Sequence, residues 1–227
     1  MKSLNPYIVV RDRMVQDQLA GRGVRDARVL DAMRTVPREA FVAPHLWSAA
    51  YADVALPIGE GQAIPQPLIM ATMAEALGLR GDENVLEVGT GSGYSAAVLA
   101  HLARAVRTIE RIPSLAAQAR STLHRLGYGR VEVEDGDGTM GSAAGAPYDA
   151  ILVAAEGPRV PASLRAQLKP GGRLVMPLGR GGPDHSLVRL TLRPGGSDTI
   201  ETLRSVRLLP LIGAEGWLSA DHARAGG

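Results

Sequence analysis

Apolar positions along the chain follow two rhythms. Before residue 84 the spacing is helical. Met14, Val15, Gln18 and Leu19 recur at three- and four-residue steps and stop at Gly21 and Gly23. Asp26 then stands as an N-cap before Val29, Leu30, Met33 and Val36, and Pro37 ends that run. Residues Phe41–Pro67 keep no period. They hold four prolines and two glycines and read as loop, with Tyr51, Leu56 and Ile58 as buried anchors. From Leu68 to Leu79 the helical spacing returns, with Met70, Met73, Ala74 and Leu77 on one side.

Beyond residue 84, short β-type runs alternate with helical ones. Strands are expected at Val85–Val88, Ala105–Glu110, Val131–Glu134, Ala150–Ala154 and Leu174–Leu178. Helices are expected at Ser95–Ala103, Leu115–Leu126 and Ala162–Leu168. Such alternation predicts a parallel sheet covered on both faces. Leu187–Leu192 and Leu203–Leu209, around the turn signal Pro194–Gly195–Gly196, predict an antiparallel pair, and the tail 218–227 is expected to fray.

Composition narrows the class. With 227 residues, 45% hydrophobic and 21% charged, the chain is globular and suits one large domain or one domain with an arm. Eight aromatic residues leave a core of Ala, Val, Leu and Ile. The absence of cysteine removes disulfides, thiol nucleophiles and Cys-ligated zinc. A formal charge of +2 gives no electrostatic argument for nucleic acid or membrane. No apolar run is long enough to span a bilayer, and no signal layout opens the chain, so a cytoplasmic location is expected. The five histidines lack metal-ligand spacing, and no metal is expected. Met14, Met33, Met70 and Met73 are read as core, and Arg22, Arg25, Arg28, Arg34 and Arg38 as a solvated basic face.

The densest chemical signal is Val85-Leu86-Glu87-Val88-Gly89-Thr90-Gly91-Ser92-Gly93-Tyr94, a buried strand turning through three alternate glycines into a helix. Glycines admit tight turns and close approach of a ligand to the main chain, beyond the carboxyl end of a parallel strand. A dinucleotide fingerprint needs a small residue where Tyr94 stands, and a P-loop needs a Lys that is missing. Glu87, two residues before the first glycine, makes the pattern resemble the first motif of S-adenosylmethionine-dependent methyltransferases. An acid there suits the ammonium at the amino-acid end of this phosphate-free cofactor. Glu110, 23 residues on, ends the second strand and suits two ribose hydroxyls. Asp137 and Gly138, at the end of the next, suit an adenine amino group and ring. Glu87, Gly89, Thr90, Gly91, Ser92, Glu110, Asp137 and Gly138 are therefore the candidate cofactor residues. A set of purely structural turns, or a different nucleotide, stays open on these residues alone.

The flanks carry a more specific resemblance. Residues 11–24 (RDRMVQDQLAGRGV), 28–41 (RVLDAMRTVPREAF), 56–67 (LPIGEGQAIPQP), 135–138 (DGDG), 146–150 (APYDA), 168–174 (LKPGGRL) and 209–217 (LPLIGAEGW) resemble the protein-L-isoaspartate O-methyltransferase family. The resemblance implies methyl transfer from S-adenosylmethionine to the α-carboxylate of L-isoaspartyl residues in damaged peptides and proteins, a repair activity in the cytosol. With the alternation above, it implies a doubly wound α/β fold. The sheet would be seven-stranded and mostly parallel, with an N-terminal helical arm and substrate loop (1–67), a cofactor-binding core (68–217) and a C-terminal antiparallel hairpin. A monomer is expected.

The substrate loop departs from the family. Its usual form reads G-Q-T-I-S-Q-P, whereas this chain has Gly61-Gln62-Ala63-Ile64-Pro65-Gln66-Pro67. Pro65 stands at the catalytic serine position and Ala63 at the threonine, so both hydroxyls are gone. Losing one oriented hydrogen bond in a closed site costs about 2–4 kcal/mol of transition-state stabilisation, a rate loss of roughly 30- to 1,000-fold unless another donor substitutes. Ala63, Ile64 and Pro65, with Leu209, Pro210 and Leu211 from the C-terminal block, are the expected substrate-side residues. Two alternatives follow: a related enzyme acting on an aspartate of a modified peptide or another acid, or a cofactor-binding protein without catalysis.

Overall fold

The computed structural model describes residues 6–179, 185–193, 195 and 197–219. The N-terminal arm opens with α1 (Tyr7–Arg13), which continues as a π-helical turn over Met14–Leu19 and ends at Gly23 in a left-handed conformation. Next comes α2 (Ala27–Thr35). Asp26 caps it as expected, its carboxylate accepting from the backbone N–H of Arg28 and Val29. The stretch read as loop is more ordered than its sequence predicts. Pro44–Ala49 forms a 3-10 turn, and β1 (Leu56–Gly59) pairs antiparallel with β2 (Gln62–Ile64). Prolines at 57 and 65 hid this hairpin from a periodicity search, because proline is depleted in strands. Then α3 (Pro67–Leu77) begins at a proline and stops at Gly78. Nine of its eleven residues are buried, so it packs as a core helix rather than a half-exposed one.

A seven-stranded sheet forms the centre. Its strands are β3 (Asn84–Val88), β4 (Ala105–Glu110), β5 (Glu132–Asp135), β6 (Tyr148–Val153), β7 (Leu168–Leu178), β8 (Ser186–Thr191) and β9 (Thr199–Ser205). The spatial order is β5-β4-β3-β6-β7-β8-β9. The first five run parallel, and β8 and β9 complete it as an antiparallel ribbon. Between them lie α4 (Tyr94–Leu99), α5 (Pro113–Arg125) and α6 (Ala162–Ala166). The two-residue period of the strands divides the core by face. Val85, Ala150, Leu152, Val175 and Leu187 pack with the arm, α3 and α4, while Leu86, Val88, Ile151, Val153, Leu174, Met176 and Val188 form a second cluster. Met14, Leu19, Met33 and Phe41 of the arm share the first cluster with Met70 and Met73.

The last expected strand is displaced. It covers Thr199–Ser205 rather than Leu203–Leu209, because the residues beyond it find other backbone partners. The Val206 N–H donates to the His185 carbonyl, the Leu209 carbonyl accepts from the Glu156 N–H, and the Leu211 N–H donates to the Glu156 carbonyl. Apolar Leu209–Ile212 is thereby drawn across the end of the sheet. Pro194 and Gly196 of the expected turn, His222, and 220–227 of the tail lie outside the described residues. No helix among the described residues is long and apolar enough to cross a membrane.

Candidate active site

The ends of β3, β4 and β6 meet on one side of the sheet, where the topology reverses between β3 and β6 and loops part to leave a crevice. The glycine turn fills this point. Gly89 N–H donates to the Ile109 carbonyl at 2.9 Å, tying the turn to β4, and Ala154 N–H donates to the Val88 carbonyl at 2.8 Å from β6. Gly91 has φ of +54°, which disfavours any side chain, and a Cβ there would sit 3.1 Å from Ile58 Cδ1 of the β1–β2 hairpin. At Gly138 a Cβ would come within 2.5 Å of Val88 Cγ1. Both glycines therefore let the backbone pack closely, against Ile58 and Val88 respectively, at the edge of the crevice.

Glu110 is 6% exposed. One carboxylate oxygen accepts from Gly91 N–H at 2.9 Å and the other from Ile112 N–H at 3.0 Å. The carboxylate is thus held rigidly across the mouth of the glycine turn, with lone pairs remaining for further donors.

A cleft of about 720 Å³ runs from this turn to the hairpin. It is lined by Gly89, Thr90, Gly91, Ser92, Glu110 and Gly138 on the sheet side, and by Ala63, Ile64, Pro65, Leu209, Pro210 and Leu211 on the other. Two sequence candidates do not line it. Glu87 is wholly buried beneath the turn, where Thr108 Oγ1 donates to it at 2.6 Å and in turn contacts Thr90 Oγ1 at 2.6 Å. Burial pushes its carboxyl up to about 8, with the nearby Glu110 adding to the rise and the Thr108 hydroxyl opposing it. Asp137 is occupied in holding the chain. Its Oδ1 accepts from Thr139 N–H and Oγ1, and its Oδ2 accepts from Ala214 N–H at 2.7 Å. Burial raises its carboxyl, but the bonds from Ala214 and Thr139 outweigh this and keep it below the usual carboxylate range. Asp137 thus fastens the backbone at Thr139 and Ala214, whereas Glu87 reaches the turn only through the hydroxyls of Thr108 and Thr90.

Sequence reasoning missed the group that holds the Ala63–Pro65 loop. Arg38, read as part of a solvated face, is fully buried. Its Nε donates to the Ala50 carbonyl at 2.8 Å and its Nη2 to the Pro65 carbonyl at 2.7 Å, while its guanidinium lies 5.0 Å from the Tyr94 ring centroid. Burial lowers its pKa. The one signal pointing to it was its place in the family-like segment 28–41, since a buried arginine has no periodicity. His185, expected to be solvated, is 8% exposed and lies 2.5 Å from Glu156, the residue whose backbone secures Leu209 and Leu211.

A family model described as protein-L-isoaspartate(D-aspartate) O-methyltransferase matches residues 10–216. The chain belongs to this family. It is 56% identical over 220 residues to "Protein-L-isoaspartate O-methyltransferase 1" of Rhodopseudomonas palustris (strain HaA2), covering 96% of this chain and 90% of the relative. It is 53% identical over 208 residues to "Protein-L-isoaspartate O-methyltransferase 2" of Marinobacter nauticus, covering 92% and 95%. A solved protein-L-isoaspartate O-methyltransferase superposes with a TM-score of 0.80 at 28% identity, over 91% of this chain and 67% of that one. A Plasmodium falciparum structure named as a member of the family, solved with S-adenosyl-L-homocysteine, superposes with a TM-score of 0.75 at 20% identity, over 89% and 98%, and shares the fold. The fold of this methyltransferase family accounts for the strand order, the arm and the C-terminal segment that together enclose the cleft.

Proposed function

We propose that the protein transfers a methyl group from S-adenosylmethionine to the α-carboxylate of L-isoaspartyl residues in damaged proteins. The observation that carries this reading is the single cleft joining the Gly89–Gly93 turn and Glu110 to the Ala63–Pro65 loop, in a chain of this family. The residues fit the cofactor. Gly89, Gly91 and Gly138 bring main chain to the cleft, Glu110 offers acceptors for a ribose edge, and Tyr94 stands where a dinucleotide fingerprint needs a small residue. When bound, the cofactor supplies an electrophilic methyl carbon on a sulfonium.

The chain's own work is positioning. A carboxylate with a pKa near 3.5–4 is already ionised at neutral pH, so no strong general base is required. Ile64, Leu209 and Leu211 give the peptide side an apolar wall that excludes water, and Arg38 fixes the loop through the Pro65 carbonyl. With Ala63 and Pro65 in place of hydroxyl residues, orientation falls to backbone groups and to the shape of the loop. That same loss supports a second reading, a carboxylate other than isoaspartate as substrate. Side-by-side assays with donor carrying a labelled methyl group separate the two. Base-labile label on an isoaspartyl peptide, and none on its aspartyl counterpart, is the expected result. Label on the aspartyl peptide alone favours the second reading, and binding without transfer to either leaves a non-catalytic protein.

A further inference from the structure

Charge is nearly balanced over the whole chain, with 25 Lys and Arg against 23 Asp and Glu. The cleft is different. Its charged lining consists of Arg22, Glu110, Arg111, Arg204 and Arg207, four cations against one carboxylate. Glu110 is committed to the glycine turn, and Arg22 is ion-paired with Asp53. Arg204 is the penultimate residue of β9, and Arg207 follows two residues beyond the strand's end. Between them Val206 is buried, its N–H bonded to the His185 carbonyl at 3.0 Å, which pins the backbone, and both arginines line the cleft. Arg204 Nη1 donates to Thr72 Oγ1 at 3.1 Å, in α3, the helix that follows the substrate loop. Arg207 is exposed, and no described residue bonds or pairs with its guanidinium.

We propose that Arg204 and Arg207 form an anion-binding wall on the peptide side of the cleft, which selects isoaspartyl segments with a further acidic side chain beside the damaged residue. The proposal rests on the methyl-transfer reading and adds a substrate class to it. The wall does not serve the reacting carboxylate, whose nucleophilicity a strong cation would blunt. It serves the neighbouring side chain. A guanidinium offers forked N–H donors that match a carboxylate, and an unpaired cation in a mainly cationic cleft attracts anionic ligands until salt screens it.

Three isoaspartyl peptides, identical except for Glu, Gln or Lys after the isoaspartate, test this by labelled methyl transfer at low and high ionic strength. The expected order of kcat/KM is Glu, then Gln, then Lys. Roughly three- to fivefold between Glu and Gln is expected, carried by KM and shrinking in high salt, as for a partly exposed ion pair. In the R204Q/R207Q double variant the Glu-to-Gln ratio should fall to near one. Because Arg204 also bonds Thr72, R207Q alone is the safer variant for folding and should lower the ratio in part, while Arg207→Lys restores most of it. Equal kcat/KM for the Glu and Gln peptides in the native protein overturns the wall, as does a ratio that survives in the folded double variant. If no isoaspartyl peptide is methylated, the methyl-transfer reading fails and takes the wall with it. Methylation of all three without preference removes the wall alone.

Discussion

The two sides of the cleft are built by different means. On the cofactor side, every lining residue sits at or just beyond the end of a strand, and its polar groups are satisfied within a few residues or by the adjacent strand. Gly91 bonds Glu110 and Gly89 bonds Ile109. On the peptide side, the loop Ala63–Pro65 is held by Arg38 from 27 positions away, and Leu209–Leu211 by the backbone of Glu156, distant in sequence, just beyond the end of β6. One half inherits its geometry from a parallel sheet; the other is assembled from distant pieces. The cofactor half should therefore tolerate damage to the arm, while the peptide half should not.

Arg38→Met probes this asymmetry most severely. It leaves the carbonyls of Ala50 and Pro65 without their donor in a buried setting, and it removes the cation over Tyr94. Relief of the buried charge offsets part of the loss. We expect a destabilisation of about 2–4 kcal/mol in urea unfolding. In the folded fraction, KM for an isoaspartyl peptide should rise several-fold, while calorimetry shows cofactor affinity within about twofold of native. An equal fall in both affinities would mean that the halves are mechanically one.

The reciprocal probe is Glu110→Ala. It removes the acceptor of the Gly91 and Ile112 N–H groups and the carboxylate that faces the crevice. Cofactor binding should weaken by about 1–3 kcal/mol, measured by calorimetry with S-adenosylhomocysteine. Unchanged affinity would remove Glu110 from the cofactor site.

The same asymmetry explains what the sequence made legible. Glycines 89, 91 and 93 and the acid at 110 lie on consecutive elements of regular spacing, so strand ends could be found from hydrophobic runs and their chemistry read directly. The parallel core followed from the same alternation. The β1–β2 hairpin did not, because its prolines imitate a loop and its pairing depends on the buried Ile64 and Leu56. Leu203–Leu209 looked like one strand because apolar runs do not announce which backbone partner wins; here His185 and Glu156 took the residues after Ser205. Arg38 was illegible for a sharper reason. Its role depends on carbonyls 12 and 27 residues away, and a charged residue beside other arginines is ordinarily solvated. Asp137 was read as a cofactor contact, yet it does not line the cleft and its oxygens serve Thr139 and Ala214, partners that only the folded chain supplies.

Glu87 gives the smallest and most diagnostic effect, because it lies under the cofactor half and titrates. Its ordinary value is 4.5, and burial raises it to about 8 in the folded protein. Between those values the folded state binds one more proton than the unfolded state, so stability falls as pH rises. The contribution is fully present below about 4.5 and is lost as pH passes through about 8, at a slope near 1 kcal/mol per pH unit. Glu87→Gln keeps an acceptor for Thr108 and cannot titrate. In urea unfolding at pH 6, 7 and 8 without cofactor, the variant should show a flatter pH dependence than the native protein by about that slope. Parallel lines would mean that Glu87 stays ionised when folded, stabilised through Thr108 and Thr90. The floor of the cofactor half would then be anionic rather than neutral before any ligand arrives.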